Sequence, residues 1–498
     1  MTQTVPNFEP WMQDLDQALE SLAGRAKSWA QTSNVERVEI LAKIKDHLMD
    51  VAEGWVRIAS RKKMIPEGSQ LEGEEWISGP YAVMSSCNHL IKTLTKIEGK
   101  EHIRDLPVRH LPNGQIALEV LPDSIWDELL LSGVHAEVWM QPGVTEANLA
   151  DRTASSYDLP QKLRQGGVSL VLGAGNIASI APLDVFHKLF SEHKVVILKM
   201  NPVNDYLVDY LVAALKPLID FGALMIVRGG AKEGEYLCNH DLVDDIHITG
   251  AGASHDAIVW GVGEEGVANK KAGTPRNIKH ITSELGERSP TIVYPGTWSD
   301  ADIRFQAEQI ATQKLHNAGF NCVACQMLVL PKNWGKSTRL TRALSDVLRT
   351  APKRGLYYPG AQGRLEEFAS HGKETHRIER GDTSCLIARV GDDRDRTLET
   401  YEVFAPALSI THVEGEDAES YLRAAIAYAN DHLHGTLGAN ILIHPKTLAK
   451  LGRDKFDALL LELRYGCIAV NTWTGLGFLT VQTPWGAFPG HTLDDVQS

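Results

Sequence analysis

Short apolar runs alternate with helical segments through most of the chain after residue 167, and this alternation limits the possible folds more than any other feature. The helical segments are centred on PLDVFHKLF and VDYLVAALKPLID. Strands covered on both faces are almost continuously apolar, and helices connect them. The pattern therefore predicts a doubly wound parallel sheet. Its apolar runs are VSLVL (168–172), KVVILKM (194–200), ALMIVRG (223–229) and VDDIHITG (243–250).

A second series of apolar runs begins near residue 291. A chain of 498 residues is too long for one ordinary hydrophobic core. We therefore predict an α/β fold of two doubly wound, Rossmann-like domains, preceded by helices over residues 8–60, with a boundary near residue 283. The runs of the second series are TIVYPG (291–296), CQMLVLP (325–331), SCLIARV (384–390), ALSITHVEG (407–415), GANILIHP (438–445) and GCIAVN (466–471).

Composition and charge exclude several classes of protein. A formal net charge of −13 argues against a nucleic-acid partner, whose phosphates require a basic face. No stretch approaches the roughly 18 apolar residues of a membrane-spanning helix, and the N-terminal residues show no secretory leader. Six scattered cysteines do not form a disulfide framework. We predict a cytoplasmic protein with no membrane partner.

Glycine-rich loops give only weak evidence for nucleotide binding. Residues 173–178, GAGNIA, fit a loose G-x-G-x-x-A fingerprint, which requires an acidic residue at the end of the next strand. That strand ends in Lys199, Met200 and Asn201, so the sequence disfavours an ordinary Rossmann phosphate loop. Residues 261–266, GVGEEG, place two carboxylates where a pyrophosphate would bind, and we interpret them as a plain turn.

Three segments in a fixed order carry the strongest signal. They are residues 283–290 (SELGERSP, the ELG segment), 317–324 (NAGFNCVA, the thiol segment) and 402–406 (EVFAP, the EVFAP segment). Together with GAGN at 173–176 and Lys199, they resemble the aldehyde dehydrogenase superfamily over about residues 30 to 490. The resemblance implies two domains with the active site between them, and NAD(P)-dependent oxidation of an aldehyde.

The resemblance also implies the catalytic roles. Cys322 is expected to add to the aldehyde as a thiolate and to carry the thioester. The side-chain amide of Asn176 and the backbone N–H of Cys322 would stabilise the oxyanion, and Glu284 would activate water as general base. A lone cysteine is more often a small core residue, which is how we interpret Cys87, Cys238, Cys385 and Cys467.

For the cofactor, NAD or NADP, the resemblance assigns four residues. Lys199 corresponds to the lysine that contacts the adenosine ribose, and Gly250 lies in the turn that contacts phosphate. Glu402 matches the carboxylate that binds the nicotinamide ribose, with Phe404 close to the ring. Pro202 stands where an acidic residue usually excludes a 2′-phosphate, so NADP is permitted. No metal is expected, since no second C-x-x-C or paired histidine completes a zinc site.

Domain roles follow from the same resemblance. Residues 1–283 would form the N-terminal helices and the dinucleotide-binding domain, 284–471 the catalytic thiol domain, and 472–498 a segment that returns to the cofactor domain. Residues 129–158 suggest an oligomerisation hairpin, and a homodimer or homotetramer is expected. Relatives run further beyond the PWGAFPG turn at 484–490, so the C-terminus is expected to lack a pairing strand.

Several positions depart from the family pattern. Phe320 replaces a glutamine, Glu287 a glycine and Met327 an arginine, and Ala174-Gly175 replace a Pro-Trp pair. These changes surround the cofactor and acyl sites, so the sequence does not identify the aldehyde or choose between the two cofactors. They mark the chain as a distant member.

Three alternatives stay open. An acylating enzyme would pass the acyl group to coenzyme A instead of water, although such enzymes commonly lack the Glu284 base. A catalytically silent scaffold would not need the set of Cys322, Glu284 and Glu402. A thiol redox protein is suggested by C-x-x-C at 322–325, but the strand-like run that follows favours a core position for Cys325.

Overall fold

The computed structural model describes residues 10–391 and 395–496. Its strands are β1 Val108–His110, β2 Ile116–Leu121, β3 Ala136–Trp139, β4 Val168–Leu172, β5 Val195–Lys199, β6 Leu224–Val227, β7 Asp245–Thr249, β8 His280–Glu284, β9 Pro290–Val293, β10 Met327–Pro331, β11 Glu374–Arg380, β12 Thr383–Arg389, β13 Ala407–Val413, β14 Gly438–Leu442 and β15 Cys467–Val470.

The α-helices are α1 Pro10–Ala30, α2 Asn34–Lys62, α3 Glu72–Trp76, α4 Ala82–Thr95, α5 Glu101–Arg104, α6 Ile125–Leu130, α7 Ile180–Phe186, α8 Val208–Ala214, α9 Lys216–Phe221, α10 Ala231–Asn239, α11 Gly252–Val259, α12 Gly263–Ala272, α13 Asp300–Leu315, α14 Ser337–Thr350, α15 Ala361–Ser370, α16 Thr397–Thr400, α17 Ala418–His432, α18 Pro445–Leu451, α19 Arg453–Leu460 and α20 Thr474–Leu479. Short 3-10 segments lie at Glu98–Lys100, Ala150–Arg152, Ser155–Tyr157, Gln161–Leu163, Asp205–Leu207 and His316–Gly319, and π segments at Ile77–Tyr81 and His187–Ser191.

The first compact unit consists of residues 10–59, 75–104 and 150–284. Its five-stranded sheet has the order β6-β5-β4-β7-β8, and each neighbouring pair is parallel. The order reverses at β4, which is the doubly wound topology. The four apolar runs predicted for this sheet are the strands β4 to β7, so the fold class is confirmed here.

Helix α1 packs against this sheet through an apolar face that includes Leu15, Leu19 and Leu22, all buried. Trp29, near its end, is fully buried and contacts the rings of Phe190 and Phe221. Its indole N–H donates to a backbone carbonyl, so the buried polar atom is satisfied. The predicted N-terminal helices are therefore part of the core of the first unit.

The second unit consists of residues 60–74, 105–149 and 285–496. Its seven-stranded sheet has the order β11-β12-β13-β10-β9-β14-β15, and only the edge strand β11 is antiparallel to its neighbour. The order again reverses, at β9, as the doubly wound prediction requires. A separate antiparallel sheet, β1-β2-β3, belongs to this unit. Arg109 in β1 binds Glu137 in β3 and Asp457 in α19 through ion pairs of 2.6 and 2.5 Å.

The units differ from the predicted domain division in three ways. Residues 60–74 and 105–149 group with the second unit. The C-terminal segment also groups there, because α20 packs on β14 and β15 and the Thr474 N–H donates to Asn440. Residues 129–158 contribute one strand, β3, whose partner β2 precedes them, so they form no hairpin of their own. Residues 1–9 and 497–498 of the predicted domains lie outside the described residues, and the functional division remains a prediction.

Residues 261–266 are also not a plain turn, because α12 begins at Gly263. In the part of the chain that the structure describes, we found no helix that is both long and apolar enough to cross a membrane.

Candidate active site

In the first unit, all the predicted site residues lie at the same edge of the sheet. Asn176 lies after β4, Lys199 ends β5, Gly250 follows β7 and Glu284 ends β8. Because these strands are parallel, their carboxyl ends share one edge, which is where α/β folds bind ligands. The structure therefore brings these four residues to one edge, and their roles remain predictions.

Lys199 is almost buried between this edge and the start of α10. Its Nζ donates to the carbonyl oxygens of Gly229 (2.9 Å) and Met200 (3.3 Å). Burial lowers the pKa of Lys199, and the nearby Glu233 carboxylate opposes that shift. An ammonium has three donors, so one proton of this fixed amine remains for a ligand hydroxyl.

Glu284 is half-buried and lies beside a polar cluster on β7. The register pairs Glu284 with Thr249 and Thr282 with His247, and Gly250 donates its backbone N–H to the Glu284 carbonyl at 2.9 Å. His247 forms a hydrogen bond with Thr282 (2.8 Å) and an ion pair with Asp184 (3.5 Å). Burial lowers the pKa of His247, but Asp184 and, more weakly, Glu284 raise it, and the net shift is upward.

In the second unit, the three segments that define the resemblance precede three adjacent strands. The ELG segment leads into β9, the thiol segment precedes β10 and the EVFAP segment precedes β13. The sheet order places β9, β10 and β13 side by side, and all are parallel. Residues 285–290 therefore meet the other two segments at the amino edge of this sheet.

Cys322 lies in a tight turn immediately before β10. The Ala324 N–H donates to the Asn321 carbonyl at 3.2 Å, and Asn321 Oδ1 accepts the Val323 N–H at 3.0 Å. The Cys322 thiol is partly exposed and lies 3.8 Å from Asn321 Oδ1. The Trp473 indole donates to the Val323 carbonyl at 2.7 Å and fixes the far side of the turn.

The backbone before this turn adopts a left-handed conformation at three successive residues, with φ of 52° at Asn317, 55° at Ala318 and 81° at Gly319. Non-glycine residues rarely adopt this region, so surrounding contacts must hold it. The Asn317 amide supplies them: its Nδ2 donates to the Phe320 carbonyl (2.8 Å), and its Oδ1 accepts from Tyr357 Oη (3.0 Å). Arg354, paired with Glu74 at 2.7 Å, also donates to Asn317 Oδ1.

An aromatic cluster joins the thiol segment to the EVFAP segment. The Phe320 ring is fully buried, with centroids 5.0 Å from Tyr357, 5.4 Å from Tyr358 and 5.8 Å from Phe404. Phe320 replaces the usual glutamine of the family, and it packs in this cluster. Phe404 is half-buried and also has a positive φ of 42°.

Glu402 lies directly against the ELG segment. A β-carbon on Gly286 would be 1.9 Å from Glu402 Oε2, so any other residue there would displace the Glu402 carboxylate, and the Glu287 N–H donates to this carboxylate. The other oxygen, Oε1, is buried and has no hydrogen-bond partner within residues 10–391 and 395–496. Burial raises the pKa of Glu402 to about 7, against the opposing effect of nearby cations.

Glu287, which replaces a family glycine, is a fully buried carboxylate. It accepts backbone N–H groups from Leu437 (2.6 Å) and Gly438 (3.0 Å) and the hydroxyl of Ser289. Burial raises its pKa to about 8. Arg288, also fully buried, donates to Gln326, Ser409 and the carbonyls of Tyr401 and Leu398. These residues tie the ELG segment to β10, β13 and β14.

Burial raises the pKa of each of the other cysteine thiols. Burial raises the pKa of Cys87, Cys238 and Cys467 to about 12 and that of Cys385 to about 11. Cys325 is fully buried, its pKa is also raised, and its N–H donates to the Gln313 carbonyl at 3.3 Å. These thiols are neutral at neutral pH, and all of them except the partly exposed Cys467 are buried. No group of histidine, cysteine or carboxylate side chains in the described ranges is arranged to hold a metal.

The sequence pattern did not point to Arg354 or Lys314, and it gave no structural role to Asn317 or Glu287. Lys314 had a recognisable signal: it follows Ile303, Ala307 and Ile310 on the buried face of α13, a position that an apolar residue normally occupies. The roles of Asn317 and Arg354 depend on contacts with residues distant in the sequence.

Comparison with known proteins gives a consistent result. The aldehyde dehydrogenase family model matches residues 194–350. Mouse (Mus musculus) aldehyde dehydrogenase, dimeric NADP-preferring, is 27% identical over 158 residues, which are 32% of this chain and 31% of that protein. The aligned part thus spans about a third of the curated relative.

Solved structures match over nearly the whole chain. The Mycobacterium tuberculosis aldehyde dehydrogenase complexed with NAD+ has a TM-score of 0.63 at 16% identity, with 93% of this chain and 83% of that chain covered. A cysteine-to-alanine mutant of aldehyde dehydrogenase C from Pseudomonas syringae, with NAD+ and octanal, has a TM-score of 0.61 at 16% identity and covers 92% and 81%. The NAD-dependent aldehyde dehydrogenase from Sinorhizobium meliloti has a TM-score of 0.62 at 16% identity, and the match covers 93% of this chain and 80% of that chain.

These likenesses establish the shared fold, and the family model adds the sequence relationship. The predicted convergence of Asn176 and Glu284 with Cys322 stays a prediction. The chain therefore resembles the aldehyde dehydrogenase family in sequence over residues 194–350 and shares the fold of the solved aldehyde dehydrogenases.

Proposed function

We propose that the protein oxidises an aldehyde to a carboxylic acid with NAD+ or NADP+ through a covalent thioester on Cys322. The observation that carries this proposal is the arrangement at the amino edge of the second sheet. There, a partly exposed thiol is held in a tight turn, next to a segment whose buried carboxylate keeps one oxygen without a partner.

The thiol provides the nucleophile. The thiolate of Cys322 adds to the carbonyl carbon, and the carbonyl oxygen becomes an oxyanion. The bound cofactor supplies the hydride acceptor. When the C–H bond breaks and the hydride leaves, the carbonyl reforms as a thioester on Cys322. The partial exposure of this thiol supports the assignment, because four of the other cysteines are buried and the pKa of the remaining, partly exposed Cys467 is raised to about 12.

The oxyanion requires hydrogen-bond donors that are already in place. We assign the Asn176 side-chain amide and the Cys322 backbone N–H to this role, as the resemblance implies. Asn176 is 6% exposed, so its side chain is constrained by its surroundings. Losing one such donor typically costs about 10²–10³ in rate.

Hydrolysis of the thioester requires a base that removes a proton from water. We assign it to Glu284, which ends β8 at the ligand-binding edge of the first sheet. Water adds to the thioester, the C–S bond breaks, and the carboxylic acid leaves while the thiol is regenerated. The Asp184–His247 pair beside Glu284 provides a charge that influences this carboxylate.

The described residues fit an NAD(P) cofactor. Glu402 offers an unpartnered oxygen that can accept from a ribose hydroxyl, and Phe404 lies two residues further along. In the first unit, Lys199 offers a fixed ammonium and Gly250 a turn without a side chain at the carboxyl edge. The mouse relative prefers NADP and the M. tuberculosis structure holds NAD+, which supports testing both.

The competing activity is acyl transfer to coenzyme A instead of water. The presence of Glu284 favours hydrolysis. The test is an assay of aliphatic aldehydes, beginning with octanal, and aromatic aldehydes, with NAD+ or NADP+ and with or without coenzyme A. Reduced cofactor that forms in multiple turnovers without coenzyme A supports hydrolysis. A strict requirement for coenzyme A would support the alternative, and no reduction with any aldehyde would contradict both.

We also propose that the protein forms a homodimer or homotetramer. Helix α6 presents Ile125, Trp126, Leu129 and Leu130 to solvent, each at least 65% exposed, beside the small antiparallel sheet. Exposed apolar groups of this size are typical of contact surfaces. Light scattering coupled to size-exclusion chromatography tests this, and a monomer at micromolar concentration would contradict it.

A cytoplasmic location is the proposal most consistent with the cysteines. All six are free thiols, and a reducing compartment keeps them so. Fractionation of cells that produce the full-length protein would test it.

A further inference from the structure

Lys314 is a fully buried lysine on α13, in the interior of the second unit. Its neighbours are core residues: the Gln313 side chain accepts from Thr291 at 2.7 Å, and the Gln313 carbonyl accepts from Cys325 at 3.3 Å. Lys314 is 0% exposed, and its Nζ has no hydrogen-bond partner in the part of the chain that the structure describes. A buried ammonium without partners is costly, so stability alone does not explain this residue.

Hydrogen bonds connect this part of the core to the segment that contains Glu402: Cys325 donates its N–H to the Gln313 carbonyl, and the side chain of the next residue, Gln326, accepts the Val403 N–H at 3.2 Å. Oε2 of Glu402 is confined by Gly286 and its carboxylate accepts the Glu287 N–H, whereas its buried Oε1 has no partner among the described residues. Lys314 and Glu402 therefore each retain hydrogen-bonding capacity. Burial raises the pKa of Glu402 and lowers the pKa of Lys314 to about 8, and the charge of each group opposes the shift of the other.

Two other cations face Glu402, but their donors are largely committed elsewhere. Arg288 donates to Gln326, Ser409 and two backbone carbonyls. Arg364 donates to the carbonyls of Val403, Phe404 and Pro359. Among the described residues, Arg288 keeps only its buried Nε without a partner, whereas the whole ammonium group of Lys314 has none. Within the described residues, the charged and titratable groups that act on Glu402 or respond to it include Lys314, Arg288, Arg364, Glu287, Tyr358 and Tyr401.

We propose that Lys314 is a positioning residue whose buried positive charge keeps Glu402 ionised, so that its unpartnered oxygen can accept a hydrogen bond from a ribose hydroxyl of the cofactor. This inference rests on the proposed function, which assigns Glu402 to that ribose. Lys314 acts through Glu402 and does not itself contact the cofactor.

The proposal predicts a specific dependence on pH. Burial raises the pKa of Glu402 to about 7 even with the cations present, so cofactor affinity rises as pH increases through neutrality. Without the positive charge of Lys314, less electrostatic attraction opposes the effect of burial, and the pKa of Glu402 rises further. If it moves by one unit, the ionised fraction at pH 7 falls about fivefold, and at pH 9.5 it is nearly unchanged.

The test measures the Kd of NAD+ and of NADP+ by calorimetry with the full-length protein from about pH 6 to about pH 9.5. Lys314→Met should bind about fivefold more weakly than wild type at pH 7 and within twofold at pH 9.5. Lys314→Arg should keep most of the wild-type profile, because it restores the charge. Lys450→Met removes an exposed lysine on α18 and should change nothing.

Two further measurements separate this role from a structural one. Lys314→Met should melt at or above the wild-type temperature, because an apolar side chain replaces a buried unpartnered charge. Glu402→Gln cannot ionise, so its cofactor affinity should lose the neutral pH dependence. Equal weakening of Lys314→Met at every pH, or an unchanged pH dependence in Glu402→Gln, would overturn the proposal. A wild-type protein that binds neither cofactor would instead contradict the proposed function.

Discussion

The α-carbon of Gly319 lies so close to the backbone of Ala405 that an added β-carbon would be 2.6 Å from the Ala405 carbonyl oxygen. Gly319 also has a φ of 81°, in the region that favours glycine. The two properties explain why this position in the thiol segment is glycine. They also make the contact between the thiol and EVFAP segments sensitive to a single methyl group.

Gly319→Ala should therefore displace the thiol segment while the fold persists. We expect the rate of aldehyde oxidation to fall at least about 10²-fold, because small displacements of a nucleophile are costly. Gly335→Ala is the matched control, since a β-carbon there has no heavy atom within 4 Å. The measurements are the steady-state rate and the far-ultraviolet circular dichroism. Activity of Gly319→Ala equal to that of Gly335→Ala would refute this account of the contact.

Cys322→Ala should abolish turnover, with a loss of at least about 10³-fold, because no other group replaces the nucleophile. Cys325→Ala removes a fully buried thiol three residues away and should retain activity within about threefold of wild type. Reduced-cofactor absorbance is the readout for both. Comparable losses in the two variants would indicate that Cys322 has only a packing role.

Mild oxidation should not join Cys322 to Cys325. Cys325 is fully buried, its pKa is raised by burial, and its N–H is bonded to the Gln313 carbonyl, so it is a poor resolving thiol. We expect wild type and Cys325→Ser to lose activity in peroxide at the same rate and to recover equally in dithiothreitol. Faster irreversible loss in Cys325→Ser would show that Cys325 protects the nucleophile.

Glu287 should make stability depend on pH. Its pKa is raised from 4.5 to about 8 by burial, so its stabilising contribution is complete below the unfolded pKa and is lost as pH rises through about 8. Between about pH 6 and pH 9, wild type should lose stability relative to Glu287→Gln by an amount on the order of 1–3 kcal/mol. Thermal denaturation of both proteins at the two pH values measures this. A difference in stability between wild type and Glu287→Gln that is the same at both pH values would contradict the raised pKa of Glu287.

The sequence predicted the strands of both main sheets well, for a physical reason. Strands such as β4 and β14 are covered on both faces, and all but one of the residues in each are apolar or glycine. The edge strands β8 and β11 were missed because their sequences, HITSE and ETHRIER, are mostly polar and partly or largely exposed. Helix α12 was missed because GEEGVANKKA contains two glycines and only one buried residue. Local periodicity identifies elements that bury a face and overlooks those that do not.

Cys322 and Glu402 could be proposed as site residues because they lie in motifs that occur in a fixed order, and their roles remain predictions. The hydrogen bonds that hold the surrounding backbone in place could not be predicted. Asn317 holds the left-handed backbone through Tyr357 and Arg354, which lie 40 and 37 residues away in sequence. The capping of Glu287 by residues 437 and 438 spans 150 residues. Such contacts depend on the tertiary fold, and no spacing rule in a single sequence reveals them.

The most direct test of the central claim is to trap the thioester. Glu284→Gln lacks the proposed base, so with an aldehyde substrate and NAD(P)+ it should release one equivalent of reduced cofactor per active site and then stall. After an acid quench, mass spectrometry of the digested protein should find the acyl group on the peptide that contains Cys322. An acyl group on another residue, or steady turnover of Glu284→Gln at the wild-type rate with no adduct, would contradict the proposed mechanism.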